Sequence, residues 1–142
     1  MLLEAGADVN VRDNSGYTPL FWAVGRSDSG IVRLLLQSGA NVNALTDSGV
    51  APLHWAVLRP NRERLVEELM AGGADVDAQD STGDTALHRA INVGMPHPEL
   101  VVHRLLHFGA DVNIRNNSGQ TPLDLCREQG IDTHRYGYRG EM

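Results

Sequence analysis

A chain of 142 residues that is 42% hydrophobic suffices for one ordinary domain and is too short for two independent cores. Eighteen acidic residues against twelve basic ones leave a net charge of −6, which excludes a general phosphate-backbone binder, and no nucleic-acid partner is expected. Every basic residue is Arg, which rules out lysine Schiff-base and phosphate-loop chemistry, and Cys126 is the only cysteine, which rules out an intramolecular disulfide or a multi-cysteine zinc site. No apolar run approaches the ~18 residues of a membrane span, and no cationic stretch followed by a long hydrophobic one opens the chain. The expectation is an intracellular domain, cytoplasmic or nuclear, without membrane insertion.

Along the chain a Gly-Ala pair recurs at Gly6-Ala7, Gly39-Ala40, Gly73-Ala74 and Gly109-Ala110, and ten residues after each of those glycines stands another, at Gly16, Gly49, Gly83 and Gly119. Both series step by 33, 34 and 36 residues, so length varies only between one series and the next. Chance does not produce four copies of an unvarying ten-residue link, and the chain is read as a set of repeats. Each unit opens with a short helix: Thr18-Pro19-Leu20 and Thr121-Pro122-Leu123 place a capping hydroxyl before a helix-starting proline. The apolar sets Leu20/Ala23/Val24, Leu53/Ala56/Val57 and Leu87/Ala90/Ile91 follow the i, i+3, i+4 spacing of one helical face. A second helix carries Ile31-Val32 with Leu35-Leu36, Leu65-Val66 with Leu69-Met70, and Val101-Val102 with Leu105-Leu106. It stops at the Gly-Ala pair, where glycine takes the left-handed conformation cheaply. An Asp/Asn-Val-Asn/Asp stretch and an Asn/Asp-Ser-Gly type turn then lead to the next unit.

With these residues in register the chain resembles the ankyrin repeat family, whose pattern joins Thr-Pro-Leu-His-x-Ala to a leucine-rich second helix and Gly-Ala-Asp-Val-Asn. The versions here are Thr18-Pro19-Leu20-Phe21-Trp22-Ala23, Ala51-Pro52-Leu53-His54-Trp55-Ala56, Thr85-Ala86-Leu87-His88-Arg89-Ala90 and Thr121-Pro122-Leu123-Asp124-Leu125-Cys126. The resemblance implies an all-α helical solenoid with β-turn/hairpin loops between helix pairs, forming a single domain over residues 1–130. Units 13–45, 46–79 and 80–115 are complete, 1–12 resembles the tail of an earlier repeat, and 116–130 the front half of a later one. This partition suggests a fragment. The tail 131–142 has too little apolar content for another helix. Phe21 and Asp124 stand where the family carries histidine, Ala51 lacks the capping hydroxyl, and Ala86 lacks the helix-starting ring. Extra residues near Arg59-Pro60-Asn61 and Gly94-Met95-Pro96-His97-Pro98 lengthen the joints between paired helices, where proline is tolerated.

A single unit cannot bury its own apolar faces, so units stack into an elongated slab whose turn tips and first helices make a broad concave surface. The resemblance implies a non-enzymatic protein–protein interaction module with no cofactor or metal, monomeric, with its variable contacts on that surface. Mapped onto this chain, those positions are Arg12, Asn14, Tyr17, Arg26, Leu45, Asp47, Val50, Leu58, Arg59, Gln79, Asp84, Asn92, Val93, Arg115, Asn117 and Gln120. Tyr17, Arg26 and Arg59 are the expected anchors, because tyrosine and arginine recur as interface hot spots. The alternative is a targeting or regulatory segment of a larger enzyme or membrane protein.

Competing signals have plainer readings. His103 and His107 have an i, i+4 metal-binding spacing, yet they align with Arg33/Gln37 and Glu67/Ala71 on a solvent-facing stripe. Asp47-Ser48-Gly49 resembles the aspartic-protease tripeptide, but the other units show Asn14-Ser15-Gly16, Ser81-Thr82-Gly83 and Asn117-Ser118-Gly119, so the shared element is a turn. His54 and His88 are expected to tie their helices to turn backbone, as in related repeats. Trp22 and Trp55 are expected to pack between helices, beside Ala23 and Ala56, and Cys126, at the position of those alanines, to be buried and inert. Asn10, Asn43 and Asn113 end the links and are expected to bond turn backbone; the resemblance also makes them candidates for asparaginyl hydroxylation. Ala51→Thr should raise stability by about 0.5–2 kcal/mol, the usual worth of a helix cap, and a melting temperature that stays level or drops would refute that helix start.

Overall fold

The computed structural model describes residues 8–92 and 97–131. Seven helices occur among them: α1 (Pro19–Gly25), α2 (Ser29–Gln37), α3 (Pro52–Ala56), α4 (Arg62–Ala71), α5 (Ala86–Asn92), α6 (Pro98–His107) and α7 (Pro122–Gln129). No strand occurs among the described residues. Within each unit the helices pair, α1 with α2, α3 with α4 and α5 with α6. Between units α1, α3, α5 and α7 pack in one row and α2, α4 and α6 in a second. The result is a two-layer all-α solenoid. The expectations that concern residues 1–7, Val93, the side chain of Asn92, Pro96 and the tail from Asp132 fall outside the described residues.

One continuous core runs between the layers. Leu20, Val24 and Val32 lead into Leu53, Val57, Leu65 and Leu69, then into Leu87, Ile91, Val102 and Leu105, all buried. These are the residues of the i, i+3, i+4 sets, and burying each contributes roughly 1.5–3 kcal/mol. Cys126 takes the small buried position of Ala23, Ala56 and Ala90. Burial pushes its thiol up to about 11, so it is no reactive thiolate at neutral pH.

The turns repeat as faithfully as the helices. Each is closed by the same backbone bond: Asp13 N–H to Tyr17 O, Thr46 to Val50, Asp80 to Asp84 and Asn116 to Gln120, at 2.9–3.0 Å. The side chain that opens each turn, Asp13, Thr46, Asp80 or Asn116, accepts from the backbone N–H groups two and four residues on. Successive turns then bond to each other, Asp47 N–H to Ser15 O, Ser81 to Ser48 and Asn117 to Thr82. That approach requires glycine: a Cβ on Gly83, at φ +82°, would lie 2.6 Å from the backbone nitrogen of Asn117.

The helix starts depart from expectation at one place. Thr121 caps α7 as foreseen, accepting from Asp124 N–H at 3.0 Å while Asp124 accepts from Thr121 N–H at 3.1 Å. Thr18 does not cap α1; its buried hydroxyl has no hydrogen-bond partner among the described residues. The cause is three residues on. In the third unit the Thr85 hydroxyl lies 2.9 Å from His88 Nδ1, whereas Phe21 offers Thr18 only an apolar ring. Pro60 lies in the joint between α3 and α4, but Pro98 does not lie in one: it is the first residue of α6, where its missing N–H costs nothing. Thr18→Val should leave stability unchanged or raise it by about 1 kcal/mol, since it removes an unsatisfied polar group. The same change at Thr85, which breaks the tie to His88, should lower it by about 1–2 kcal/mol. Urea denaturation of the two variants side by side reads this opposition of sign.

Candidate functional site

The concave side is built from the four turns and the exposed ends of the first-helix row. Its rigidity comes from side chains that cross from one unit to the next. His54 Nδ1 accepts from Ala51 N–H at 2.9 Å, which leaves the proton on Nε2 to be donated to the carbonyls of Asp84 (2.9 Å) and Ala78 (3.1 Å). His88 repeats this, accepting from Thr85 N–H at 3.0 Å and donating from Nε2 to Gln120 O at 2.9 Å. The imidazole therefore satisfies the Ala51 N–H at the helix start, but not the His54 N–H that a capping hydroxyl would take. Burial lowers the His54 pKa, which favours the neutral ring this geometry needs. Both rings tie helix to turn, as the sequence implied.

A second set of crossings lies below the turns. Asn10 accepts from Asn41 N–H at 2.7 Å and donates to Gly39 O at 3.2 Å; Asn43 accepts from Asp75 N–H at 2.8 Å and donates to Gly73 O at 3.2 Å. At the end of unit 46–79 Asp77 accepts from Asp111 N–H at 2.9 Å but has no N–H to give Gly109.

The sequence-predicted contact residues fall into two groups. Several belong to the turn ladder itself. Gln79 donates to Gly83 O and Arg115 O, Asp84 accepts from Asn116 Nδ2, Arg115 donates to Gly119 O, and Asn117 donates to Ser81 O, all at 2.8–3.1 Å. Arg12 donates to Leu45 O at 3.0 Å and faces Asp47 at 3.6 Å. Val50, Leu58 and Gln120 are half-buried. Asn14, Arg26 and Leu45 are exposed and are not held in this way.

Two of the three expected anchors, Tyr17 and Arg59, approach each other through Trp55 and Gly25, while Arg26 is exposed at the end of α1. The Tyr17 ring centroid lies 5.1 Å from that of Trp55, 5.5 Å from Phe21 and 6.0 Å from Trp22. Arg59 Nη1 reaches the Gly25 carbonyl at 3.5 Å, beside Arg26, and a Cβ on Gly25 would meet the Trp55 ring at 3.3 Å. The expectation that the tryptophans pack between helices holds for Trp55, which packs from α3 against Phe21 of α1, and is corrected for Trp22. Trp22 is 57% exposed, and Trp55 is half-buried against Tyr17 and Phe21. The same register position holds Arg89 in the third unit, where guanidinium Nε and Nη2 donate to Asp80 Oδ2. Burial works against the charge on Asp80, but the bonds from Thr82 and Arg89 hold its carboxyl below the ordinary range. A position that accepts arginine one unit later faces the surface, and that was the signal available in the sequence.

Elsewhere, His107 is exposed and His103 half-buried, and no group of three potential metal ligands occurs among the described residues. Asp47-Ser48-Gly49 forms one of the four turns, like its counterparts. A shallow depression on the second-helix row, lined by Arg33, Leu36, Gln37, Glu68, Ala71 and Gly72, carries the Arg33–Glu68 ion pair at 2.7 Å.

The sequence model of the family described as ankyrin repeats (3 copies) matches residues 1–80 and 53–136. The chain belongs to the ankyrin repeat family. Among similar curated proteins are neurogenic locus notch homolog protein 1 of Xenopus laevis and of Homo sapiens, each 38% identical over 92 residues, and neurogenic locus notch homolog protein 2 of Homo sapiens, 37% identical over 92. The match takes in 65% of this chain and 4% of each relative's length. Ankyrin repeats are protein-interaction modules. No helix among the described residues is long and apolar enough to cross a membrane.

Asp77 is the weak stitch in this array. Burial, then the neighbouring Asp111 and Asp75 charges, raise its carboxyl above the ordinary range, although the Asp111 N–H works the other way. A carboxyl with a raised folded pKa binds more protons when folded, so its ionisation subtracts stability as pH rises through that range. Asp77→Asn should therefore raise stability at pH 7 by about 0.5–1.5 kcal/mol, supplying the donor that Asn43 gives Gly73. The gain should shrink in acid, where Asp77 is protonated in wild type; a gain that grows on acidification would contradict the assignment.

Proposed function

We propose that the chain is a non-enzymatic protein–protein interaction module that holds a partner protein on the concave surface of units 13–45, 46–79 and 80–115, within a domain reaching residue 130. The observation that carries this is the cluster of Tyr17, Trp22, Trp55, Arg26 and Arg59 on a stitched scaffold. Rotamer-poor rings and backbone-bonded turn tips lose little freedom on contact, so less of the interaction energy is spent on ordering. The contacts extend from there through Asn14, Leu45, Asp47 and Val50 to the turn residues Gln79, Asp84, Arg115, Asn117 and Gln120, with Arg12 and Leu58 at the margins. The histidines that catalysis would recruit are engaged in holding units together, which favours display over chemistry. The module acts as a monomer in the cytoplasm or nucleus and uses no cofactor.

A second reading is a targeting or regulatory segment of a larger enzyme or membrane protein. It is favoured by relatives in which the matched stretch is 4% of the length. In that case the same surface positions the larger protein's chemistry.

The test is alanine at Tyr17, Arg26 and Arg59 together. Capture of the native partner from extract, followed by measurement of its affinity, should show a loss of about tenfold or more with helical circular dichroism intact, as expected for hot-spot residues. Undiminished affinity would defeat this placement of the binding face.

A further inference from the structure

We propose that the aromatic–arginine cluster of the first two units recognises a carboxylate-bearing peptide segment that also carries a large apolar side chain. The proposal rests on the reading of the concave face as the partner-binding surface and assigns the partner's chemistry.

The argument starts from charge. Arg12, Arg33, Arg62, Arg89 and Arg104 each face a carboxylate of this chain within 4 Å. Arg26, Arg59, Arg64, Arg115 and Arg127 form no ion pair among the described residues, and of these Arg26 and Arg59 adjoin the aromatic cluster. They occupy the same register position in successive units, and the Arg59 head group lies on the carbonyl of the residue before Arg26. Two guanidinium groups on adjacent units, neither with a counter-ion, offer a carboxylate charge that no group among the described residues neutralises. Arg59 also keeps a buried Nε–H with no acceptor among the described residues, so the fold leaves part of its donor capacity unused. Arginine recognises carboxylates through two parallel N–H···O bonds.

The apolar half of the site lies against this pair. Both tryptophans, one of the three tyrosines and one of the two phenylalanines are gathered here in a chain that is only 5% aromatic. The exposed Trp22 ring forms an open wall that an incoming apolar side chain can cover. The Tyr17 ring is packed on its neighbours at 5.1–6.0 Å between centroids, which leaves no gap for a quaternary ammonium ion between the rings. A net charge of −6 disfavours a nucleic-acid strand, which needs an extended basic groove. A peptide that brings acid to the arginines and an apolar group to Trp22 satisfies both halves.

The test is a selection of random twelve-residue peptides displayed on phage against the whole chain, followed by synthesis of the enriched peptides and titration by fluorescence anisotropy. Enriched peptides should contain Asp or Glu next to Phe, Trp, Leu or Ile and should quench the tryptophan fluorescence. Their affinity should fall about tenfold or more in the Arg26→Glu/Arg59→Glu variant and fall steeply with added salt, as for charge-assisted pairs. It should change by less than about twofold in Arg64→Glu/Arg127→Glu, which makes the same change of net charge elsewhere. Should the first variant lose its helical circular dichroism, Arg26→Gln/Arg59→Gln takes its place. Peptides that quench the tryptophans but are neutral or basic, or are indifferent to the arginine variants, overturn this proposal and leave the binding face standing. Enriched peptides that bind without touching the tryptophans overturn both. A selection that enriches no peptide overturns the acidic-segment proposal alone. So does tighter binding of a uridine oligonucleotide, or a dimer in light scattering that Trp22→Ala dissolves.

Discussion

In this fold no unit satisfies itself. Each helix pair leaves an apolar face, a helix start and several turn carbonyls that only the next unit can cover, and the stack persists because single side chains do this across the joint. His54 illustrates the economy of the arrangement. One ring nitrogen accepts from the N–H that opens its own helix, and the other donates to two carbonyls, those of Ala78 and Asp84, that frame the following turn. His88, Asn10 and Asn43 make equivalent crossings. Because the histidines bond both inside their unit and outside it, and the asparagines reach two backbone groups of the next unit, disturbing one turn disturbs its neighbour. The concave surface therefore behaves as a stiff body rather than a row of loops.

The position held by His54 and His88 shows what happens where the crossing is given up. In the last unit Asp124 keeps the local half, exchanging bonds with Thr121 in a reciprocal cap, and is too short to extend the other half. In the first unit Phe21 gives up both halves. It leaves the Thr18 hydroxyl unsatisfied, and in return it sets a buried ring edge-on to Tyr17 and Trp55. The polar stitch is exchanged for aromatic packing at a place where Trp22 also reaches the surface. A residue that weakens the helix start thus positions the binding cluster.

Much of this was legible in the residues, because the repeat register carries strong positional information. The helix pairs, the left-handed glycines, the buried Cys126 and the roles of His54 and His88 all follow from comparing one unit with the next. Errors arose where a residue was read within its own unit. Trp22 sits beside the core alanine Ala23, and large aromatics are usually interior, so it was assigned to the core. Its equivalents Trp55, Arg89 and Leu125 range from half-buried ring to paired guanidinium to buried aliphatic, which describes a position at the rim of the layer. Thr18 failed for a similar reason: its capping role depends on a partner three residues away that the Thr-Pro-Leu motif does not contain. Pro98 was misplaced because a proline that breaks a helix and one that begins it look alike until the helix boundary is known.

The site is distributed unevenly along the stack, and the cause is how each unit spends its polar groups. In the third unit and the turn after it, Gln79, Asp84, Arg115 and Asn117 are bonded into the ladder, and Arg89 is held by Asp80. A partner that displaced those bonds would have to replace them, so these residues add shape more readily than energy. In the first two units Arg26 and the outer face of Trp22 are not committed in that way. Contact there would add interactions without breaking any, so on the proposed reading the binding energy concentrates at the Tyr17–Arg59 end, while the later units mainly hold that end rigid.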